Sequence, residues 1–154
     1  MFDEPDAYVY PSTEGTVPIG INNNDLVSGY YYGKDGWHYG FIRDTNNSFT
    51  KVNCNLTVCN NQSGTTYVTG INSNGDVVGY CLSGPLLYHR GFKKLNTSTS
   101  YTSVDDPSVV RSQQYDGTSV NGINDSGQMT GLLYRDQSRC TWLLHKNRRD
   151  IRQC

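Results

Sequence analysis

The sequence predicts an all-β fold in which a unit of about 50 residues, with four short strands, occurs three times. Three observations lead to this prediction. One stretch of 11 residues recurs in near-identical form, the chain is rich in Asn, Ser, Thr, Gly and Tyr, and no segment has the apolar period of a helix. Tyr and Thr favour strands, whereas Asn, Ser and Gly favour turns.

The recurring stretch starts with Gly-Ile-Asn. It reads "GINNNDLVSGY" at 20–30, "GINSNGDVVGY" at 70–80 and "GINDSGQMTGL" at 122–132, so the copies are offset by 50 and 52 residues. We therefore predict a single domain of residues 1–154 with repeats at approximately 8–57, 58–107 and 108–154. Residues 1–7 are a candidate to complete the last repeat, because "FDEPDA" is similar to the "VDDPSV" that ends the second.

Each repeat divides into four predicted strands. The first ends at Gly-Ile-Asn, and a tight turn follows whose third residue is Asp25, Gly75 or Gly127. We expect a positive φ there, since Gly adopts it freely and Asp tolerates it. The second strand carries the Gly-Tyr end of the motif, the third a Gly-Phe pair, and the fourth the segment "SFTKVN" or "SYTSVD".

Glycines inside these strands predict places where a backbone or a neighbouring sheet approaches too closely for a Cβ atom. The isoleucine of each motif copy is predicted to belong to the core, together with the residue across the hairpin. These residues are Ile21, Ile71 and Ile123, with Val27, Val77 and Met129 opposite them.

The motif also carries a family resemblance. Gly-Ile-Asn-x-x-Gly-x-Val-Val-Gly-Tyr is complete at 70–80, His-x-Gly-Phe occurs at 38–41 and 89–92, and Thr-x-x-Asp-x-Pro occurs at 102–107. In these features the chain resembles the HAF-type extracellular repeat family of bacterial secreted proteins. The resemblance implies an extracellular, propeller-like β-repeat protein and implies no chemistry. The third repeat departs from the pattern, with Cys140-Thr141-Trp142 in place of the Gly-Phe segment.

The sequence leaves two ways in which three repeats could form a closed fold. Three propeller blades do not close alone, whereas two chains would supply six, which makes a homodimer an expected partner. The alternative is a pseudo-three-fold β-trefoil or β-prism, although the Gln-x-Trp signature of trefoils is absent. Residues 1–30 have a net charge of −5 and residues 135–154 a net charge of +4. We expect these charges to guide an N-terminal strand to the C-terminal strands.

The five cysteines are Cys54, Cys59, Cys81, Cys140 and Cys154. Cys54 and Cys59 are spaced so that a small-loop disulfide could join them. An odd number leaves at least one thiol free or paired between chains. There is no Cys-x-x-Cys pair, so we expect no structural zinc site, and no motif indicates a cofactor.

Candidate binding residues follow from the third strand of each repeat. Trp37, Tyr88 and Arg139 hold one repeat position, and His38, His89 and Cys140 hold the next. Aromatic rings beside polar side chains are typical of sugar binding, so we predict ligand binding by Trp37, His38, Tyr88, His89 and Arg139. The plainer interpretation is that these are strand residues packing on their neighbours. A His-His-Cys metal site would arise only if a three-fold fold brought the second set together.

Composition excludes several functions. A net charge of −1 argues against nucleic-acid binding, and no apolar run reaches membrane-spanning length. No catalytic triad order or nucleophile motif is present. We therefore predict a secreted, non-enzymatic protein with lectin-like glycan binding. The alternative is a structural or protein-interaction scaffold. A hydrolase that uses carboxylates such as Asp105, Asp106 and Asp116 is less favoured.

Overall fold

The structure, a computed structural model, describes residues 3–8, 15–56, 59, 65–107, 109–135, 138–145 and 148–153. After residue 135 it describes the backbone alone. Every regular element in these segments is a β-strand, and no helix occurs among them. The predicted all-β class is confirmed.

The first four strands form one antiparallel sheet in the order β1-β2-β3-β4, which we call the first strand group. They are β1 (Thr16–Ile21), β2 (Val27–Tyr32), β3 (His38–Arg43) and β4 (Phe49–Val52). Each strand pairs with the next along the chain, as tight turns between antiparallel strands require.

The remaining eight strands form a second sheet. They are β5 (Thr66–Ile71), β6 (Val77–Ser83), β7 (Tyr88–Lys94), β8 (Tyr101–Ser103), β9 (Gly117–Ile123), β10 (Met129–Arg135), β11 (Ser138–His145) and β12 (Arg148–Gln153). Neighbours in sequence again pair antiparallel, and one parallel bridge between His89 and Gly117 joins β7 to β9. We call β5–β8 the second strand group and β9–β12 the third.

The first hairpin has the same register in all three groups. The glycine of Gly-Ile-Asn pairs with Ser28, Val78 or Thr130, and the residue before it bulges out of the ladder. The turn that follows has a positive φ at its third residue, 58° at Asp25, 80° at Gly75 and 74° at Gly127. The predicted left-handed turn position is therefore confirmed.

The asparagine of each motif copy fixes this turn. Asn72 Oδ1 accepts the backbone N–H groups of Asn74 and Asp76, at 3.1 and 2.9 Å. Its counterpart Asn22 makes the equivalent pair of bonds, and its Nδ2 donates to the carbonyl of Asn72 at 2.8 Å. The motif asparagine thus fixes the hairpin turn, and the side-chain amide of Asn22 also links the first strand group to the second.

The strand groups pack by placing the first strand of one against the sheet before it. Val68 of β5 and Val120 of β9 are both fully buried at this contact. A Cβ on Gly40 would lie 2.5 Å from a methyl of Val68, and one on Gly91 would lie 3.1 Å from a methyl of Val120. The glycine of each Gly-Phe pair therefore admits the neighbouring sheet. The close approach predicted for the motif glycines is seen at Gly70, where a Cβ would lie 3.1 Å from Gly122 Cα.

The core is divided among the strand groups. Phe41 of β3 and Phe92 of β7 hold the same register position, opposite Gly29 and Gly79, and both are fully buried. Val77 and Met129 are buried as predicted. Burial of these side chains is the main favourable contribution to such a fold.

The prediction that all three motif isoleucines lie in the core is wrong for the first. Ile71 and Ile123 pack partly buried against core clusters, whereas Ile21 is 65 % exposed. The physical reason is position in the chain. The strand group before β5 or β9 covers its isoleucine, and no described strand group precedes β1.

Residues 3–8 lie along the first strand group. Ala7 forms an isolated antiparallel bridge with Gly33, and the backbone N–H of Tyr8 donates to the carbonyl of Tyr32 at 2.7 Å. In the described segments the strand partner of β12 is β11. The expected pairing of the N-terminal segment with the C-terminal strands of its own chain is not among these contacts.

One disulfide is described, between Cys59 and Cys81. It links the loop after β4 to the core strand β6. The small-loop bridge considered for Cys54 and Cys59 is therefore not formed, and Cys54 is a free, buried thiol. Spacing along the chain favoured the nearer cysteine, but packing of the two strand groups brings Cys81 to Cys59.

Candidate functional site

A row of aromatic rings runs along the ends of the strands that lie away from the asparagine turns. Its central members are His38, Tyr67, Tyr80 and His89, with successive ring centroids 5.0, 4.8 and 4.6 Å apart. Tyr134 of β10 continues it, 4.6 Å from His89. The row therefore crosses all three strand groups, and most of its rings are half-buried.

The two histidines of this row differ in environment. The Nδ1 atom of half-buried His38 lies 3.4 Å from the hydroxyl of Tyr67. His89 is 9 % exposed, and its Nδ1 has no hydrogen-bond partner among the described residues. Burial lowers the pKa of His89 to about 4, so this ring is neutral at physiological pH. Since Tyr67 and Tyr80 stand between them, the histidines do not meet at a shared metal position.

The other predicted site residues lie elsewhere. Trp37 is exposed at the hairpin before β3, and Tyr88 is half-buried at the start of β7. Arg139 pairs with Tyr134 through the backbone of β11, but its side chain lies outside the described part of the chain. The structure thus gathers His38 and His89 into one row and leaves Trp37 and Tyr88 on separate hairpins.

A polar pocket lies next to Trp37. Its lining residues are Asp6, Tyr31, Gly33, Lys34, Asp35, Tyr39 and Lys51, and we call it the Asp35 pocket. The backbone N–H of the exposed residue Trp37 donates to Asp35 Oδ1 at 3.3 Å, which holds the Trp37 backbone beside this carboxylate. Two carboxylates, two ammonium groups and two phenols therefore line the pocket.

Electrostatic contacts organise the Asp35 pocket. The Tyr39 hydroxyl donates to Asp35 Oδ2, and this bond lowers the pKa of the Asp35 carboxyl. Burial, together with the bond to Asp35, raises the pKa of Tyr39 to about 12. Lys51 Nζ lies 3.3 Å from the centroid of the Tyr39 ring, within the range of a cation–π contact. The Tyr39 side chain thus contacts a negative carboxylate through its hydroxyl and a positive ammonium through the face of its ring.

The second strand group has an ion-pair cluster at the corresponding end. Arg90, which follows His89 as Tyr39 follows His38, lies 3.2 Å from Asp105, and Arg111 lies 2.8 Å from the same carboxylate oxygen. Asp116, another carboxylate considered for hydrolysis, accepts the backbone N–H groups of two turn residues. These carboxylates therefore have structural partners.

Three sulfur atoms form the one described cluster of metal-ligating type. The Sγ atoms of Cys54, Cys59 and Cys81 lie within 4.8 Å of one another, and all three residues are buried. Burial raises the pKa of the Cys54 thiol to about 11, which keeps it protonated. With two of the sulfurs joined in a disulfide, the cluster contributes to the core between the first two strand groups.

Sequence reasoning missed the Asp35 pocket. Asp6 and Lys51 are distant from Asp35 in sequence, and the chain meets there because residues 3–8 lie along the sheet. A weak signal was present in the run of three tyrosines at 30–32 next to the charged pair Lys34 and Asp35.

Comparisons with known proteins gave no match to a family model, a curated protein or a solved structure. Within the segments described here, no helix has the length and apolarity needed to cross a membrane. Function must therefore be inferred from the site itself.

Proposed function

We propose that the protein is a non-enzymatic, lectin-like glycan-binding protein and that the Asp35 pocket with Trp37 is its primary site. The observation that carries the proposal is the convergence of carboxylate, ammonium and phenol groups at the Asp35 pocket, with the exposed residue Trp37 bonded through its backbone to Asp35. A sugar ring has an apolar face that stacks on an indole and hydroxyl groups that bond to charged side chains.

The chemistry of the pocket supports binding rather than turnover. Asp35 is ionised and bonded to Tyr39, so it is a hydrogen-bond acceptor for sugar hydroxyls. Lys51 is held over the Tyr39 ring and supplies donors on the same side. The half-buried rings of the aromatic row, including His38, offer a second surface along which a longer glycan would extend.

The proposal is tested with a glycan array followed by calorimetry on the best ligand. Trp37→Ala should weaken binding about tenfold, because loss of a stacking ring costs about 1.4 kcal/mol. Asp35→Asn should weaken it similarly, since a hydrogen bond to a charged group contributes about 1.5–3 kcal/mol. Both residues are exposed, so both variants should retain the thermal stability of the parent.

Tyr88→Ala is the matched control, because Tyr88 holds the position of Trp37 in the second strand group and is half-buried where Trp37 is exposed. It should change affinity less than twofold. Equal losses of glycan affinity in Tyr88→Ala and Trp37→Ala would indicate repeated sites instead of a single primary site. Unchanged affinity in Trp37→Ala would overturn the proposal.

We further propose an extracellular protein whose strand groups are blades of a propeller, as expected for an HAF-type repeat protein. The four-stranded antiparallel order, the first strand packed on the preceding sheet, and the disulfide all support this interpretation. A protein-interaction scaffold is the second candidate, and the exposed apolar face of β1 favours it.

A further inference from the structure

The apolar face of β1 is uncovered where the same face of β5 and β9 is covered. Val68 and Val120 are fully buried against the preceding strand group, and their counterpart Pro18 is exposed. Ile21 is 65 % exposed, and Ile19 is 48 % exposed. Pro18, Ile19, Gly20, Ile21 and Val27 line an apolar groove here. The first strand group thus presents a surface that the other two bury.

The opposite end of the series lacks a partner sheet among the described residues. A Cβ on Gly70 would lie 3.1 Å from Gly122 Cα of the next strand group. Within the described part of the chain, the same atom on Gly122 would meet a methyl of Thr130 in its own hairpin and no other strand group. The described series therefore has one uncovered face at each end. Within the chain, the face equivalent to that of β1 packs on the face equivalent to that of the third strand group.

Residues 3–8 occupy the position of the end of a preceding strand group. The backbone N–H of Glu4 donates to Thr16 Oγ1 at 2.9 Å. Cys54 to Thr66 and Asp106 to Thr118 are the equivalent bonds, at 3.1 and 2.9 Å, and each spans 12 residues. In the latter two cases the donor follows β4 or β8. In the described residues, the N-terminal segment is thus the counterpart of the tails that follow β4 and β8.

The C-terminal strand has the charge that this tail would attract. Asp3, Glu4 and Asp6 lie in the N-terminal segment, and β12 (Arg148–Gln153) contains three arginines and one aspartate. A second copy that placed its β12 before this segment would set opposite charges side by side. The two residues that would meet at this contact differ from those within the chain. Pro18 stands in the position of Val68 and Val120, and Thr141 stands in the register position of Gly40 and Gly91.

We propose that the β1 face of each chain docks on the third strand group of a second copy, so that two chains close head to tail into a ring of six strand groups. Both contacts are then identical, and each continues the packing that joins the strand groups within one chain. Closure covers the apolar β1 face of both chains. The inference does not depend on glycan binding.

Sedimentation equilibrium on the full chain tests the proposal. The expected mass is twice the chain mass of 17.2 kDa. Ile21→Asp should convert the protein to a monomer, since it places a charge in the interface. Val110→Asp is the matched control, because Val110 is also 65 % exposed and lies outside this face, and it should remain a dimer.

A cross-linking experiment locates the contact. Ile21→Cys combined with Gly122→Cys should give a disulfide-linked dimer under mild oxidation, and each single variant should give much less. A parent protein that is monomeric at all concentrations overturns the proposal. So does a dimer that survives Ile21→Asp, or an open series of higher oligomers. Circular dichroism of the Ile21→Asp monomer should match the parent, because the side chain is exposed within one chain.

Discussion

The first and second strand groups share a set of structural features, which we call the frame, and they differ in the residues that face solvent or a neighbouring strand group. Both have the same bulge before Gly-Ile-Asn, the same asparagine-fixed turn and a buried phenylalanine after a glycine. At the far hairpin, one has the Asp35 pocket and the other the cluster of Arg90, Asp105 and Arg111. The first strand is exposed in one group and covered in the other.

This difference separates residues that set strand register and packing from residues at the hairpin ends. In the first two strand groups, the glycine that admits the neighbouring sheet and the asparagine that fixes the turn keep their residue type, because a larger side chain at the glycine or loss of the amide would disrupt local packing. Positions at the hairpin end face solvent or a neighbour particular to that group, so they are free to diverge. A candidate function should therefore be sought where the groups differ.

Removal of the shared phenylalanine should have the largest effect. Phe41→Ala and Phe92→Ala each delete a fully buried ring, and each should lower the free energy of unfolding by about 3–5 kcal/mol. Urea denaturation measures both. If the strand groups are equivalent frames, the two losses should agree within about 1 kcal/mol. A much smaller loss for Phe41→Ala would show that the first strand group is an appendage to the second.

The two histidines at equivalent positions, His38 and His89, should differ in their effect on the pH dependence of stability. The folded-state pKa of His89 is lowered from 6.5 to about 4, so the unfolded chain binds more protons between these values. Stability from this group is therefore complete above pH 6.5 and falls as the pH drops toward 4, by on the order of 3 kcal/mol.

His89→Gln should remove this part of the acid dependence, whereas His38→Gln should retain it because His89 is still present. Thermal unfolding of the parent and both variants between pH 4 and 7 provides the measurement. Identical profiles for His89→Gln and the parent would contradict the burial of His89 as the cause.

The asparagine turn should show a graded effect. Asn72→Ala removes the Oδ1 acceptor for two backbone N–H groups and the Nδ2 donor, which lies 3.3 Å from Asp76 Oδ2 and 3.4 Å from the Asn124 carbonyl. It should cost about 2 kcal/mol. Asn124→Ala, at an exposed turn, is the control and should cost less. Equal costs at both positions would remove the case for a bond between strand groups.

Local sequence predicted the frame because its causes are local. A residue that tolerates positive φ marked each turn, and a glycine in a strand marked each close approach. Exposure of Ile21 was not predictable from its motif, since the motif is the same at Ile71 and the difference lies in what precedes the strand. The Asp35 pocket was missed for a related reason, because the path of residues 3–8 joins Asp6 and Lys51 to it.

The smallest expected effect on stability is that of Tyr39→Phe, at a position where the second strand group has Arg90. Tyr39→Phe removes the hydroxyl that donates to Asp35, so the pKa of Asp35 should rise toward its ordinary value. A lowered carboxyl pKa contributes stability above the ordinary value and loses it as the pH falls through the lowered one. Because Asp35 is exposed, the change in unfolding free energy should stay within the range of surface substitutions. Carboxyl-carbon NMR titration of Asp35 in the parent and in Tyr39→Phe measures the shift. An unchanged Asp35 titration in Tyr39→Phe would show that the phenol does not organise the pocket.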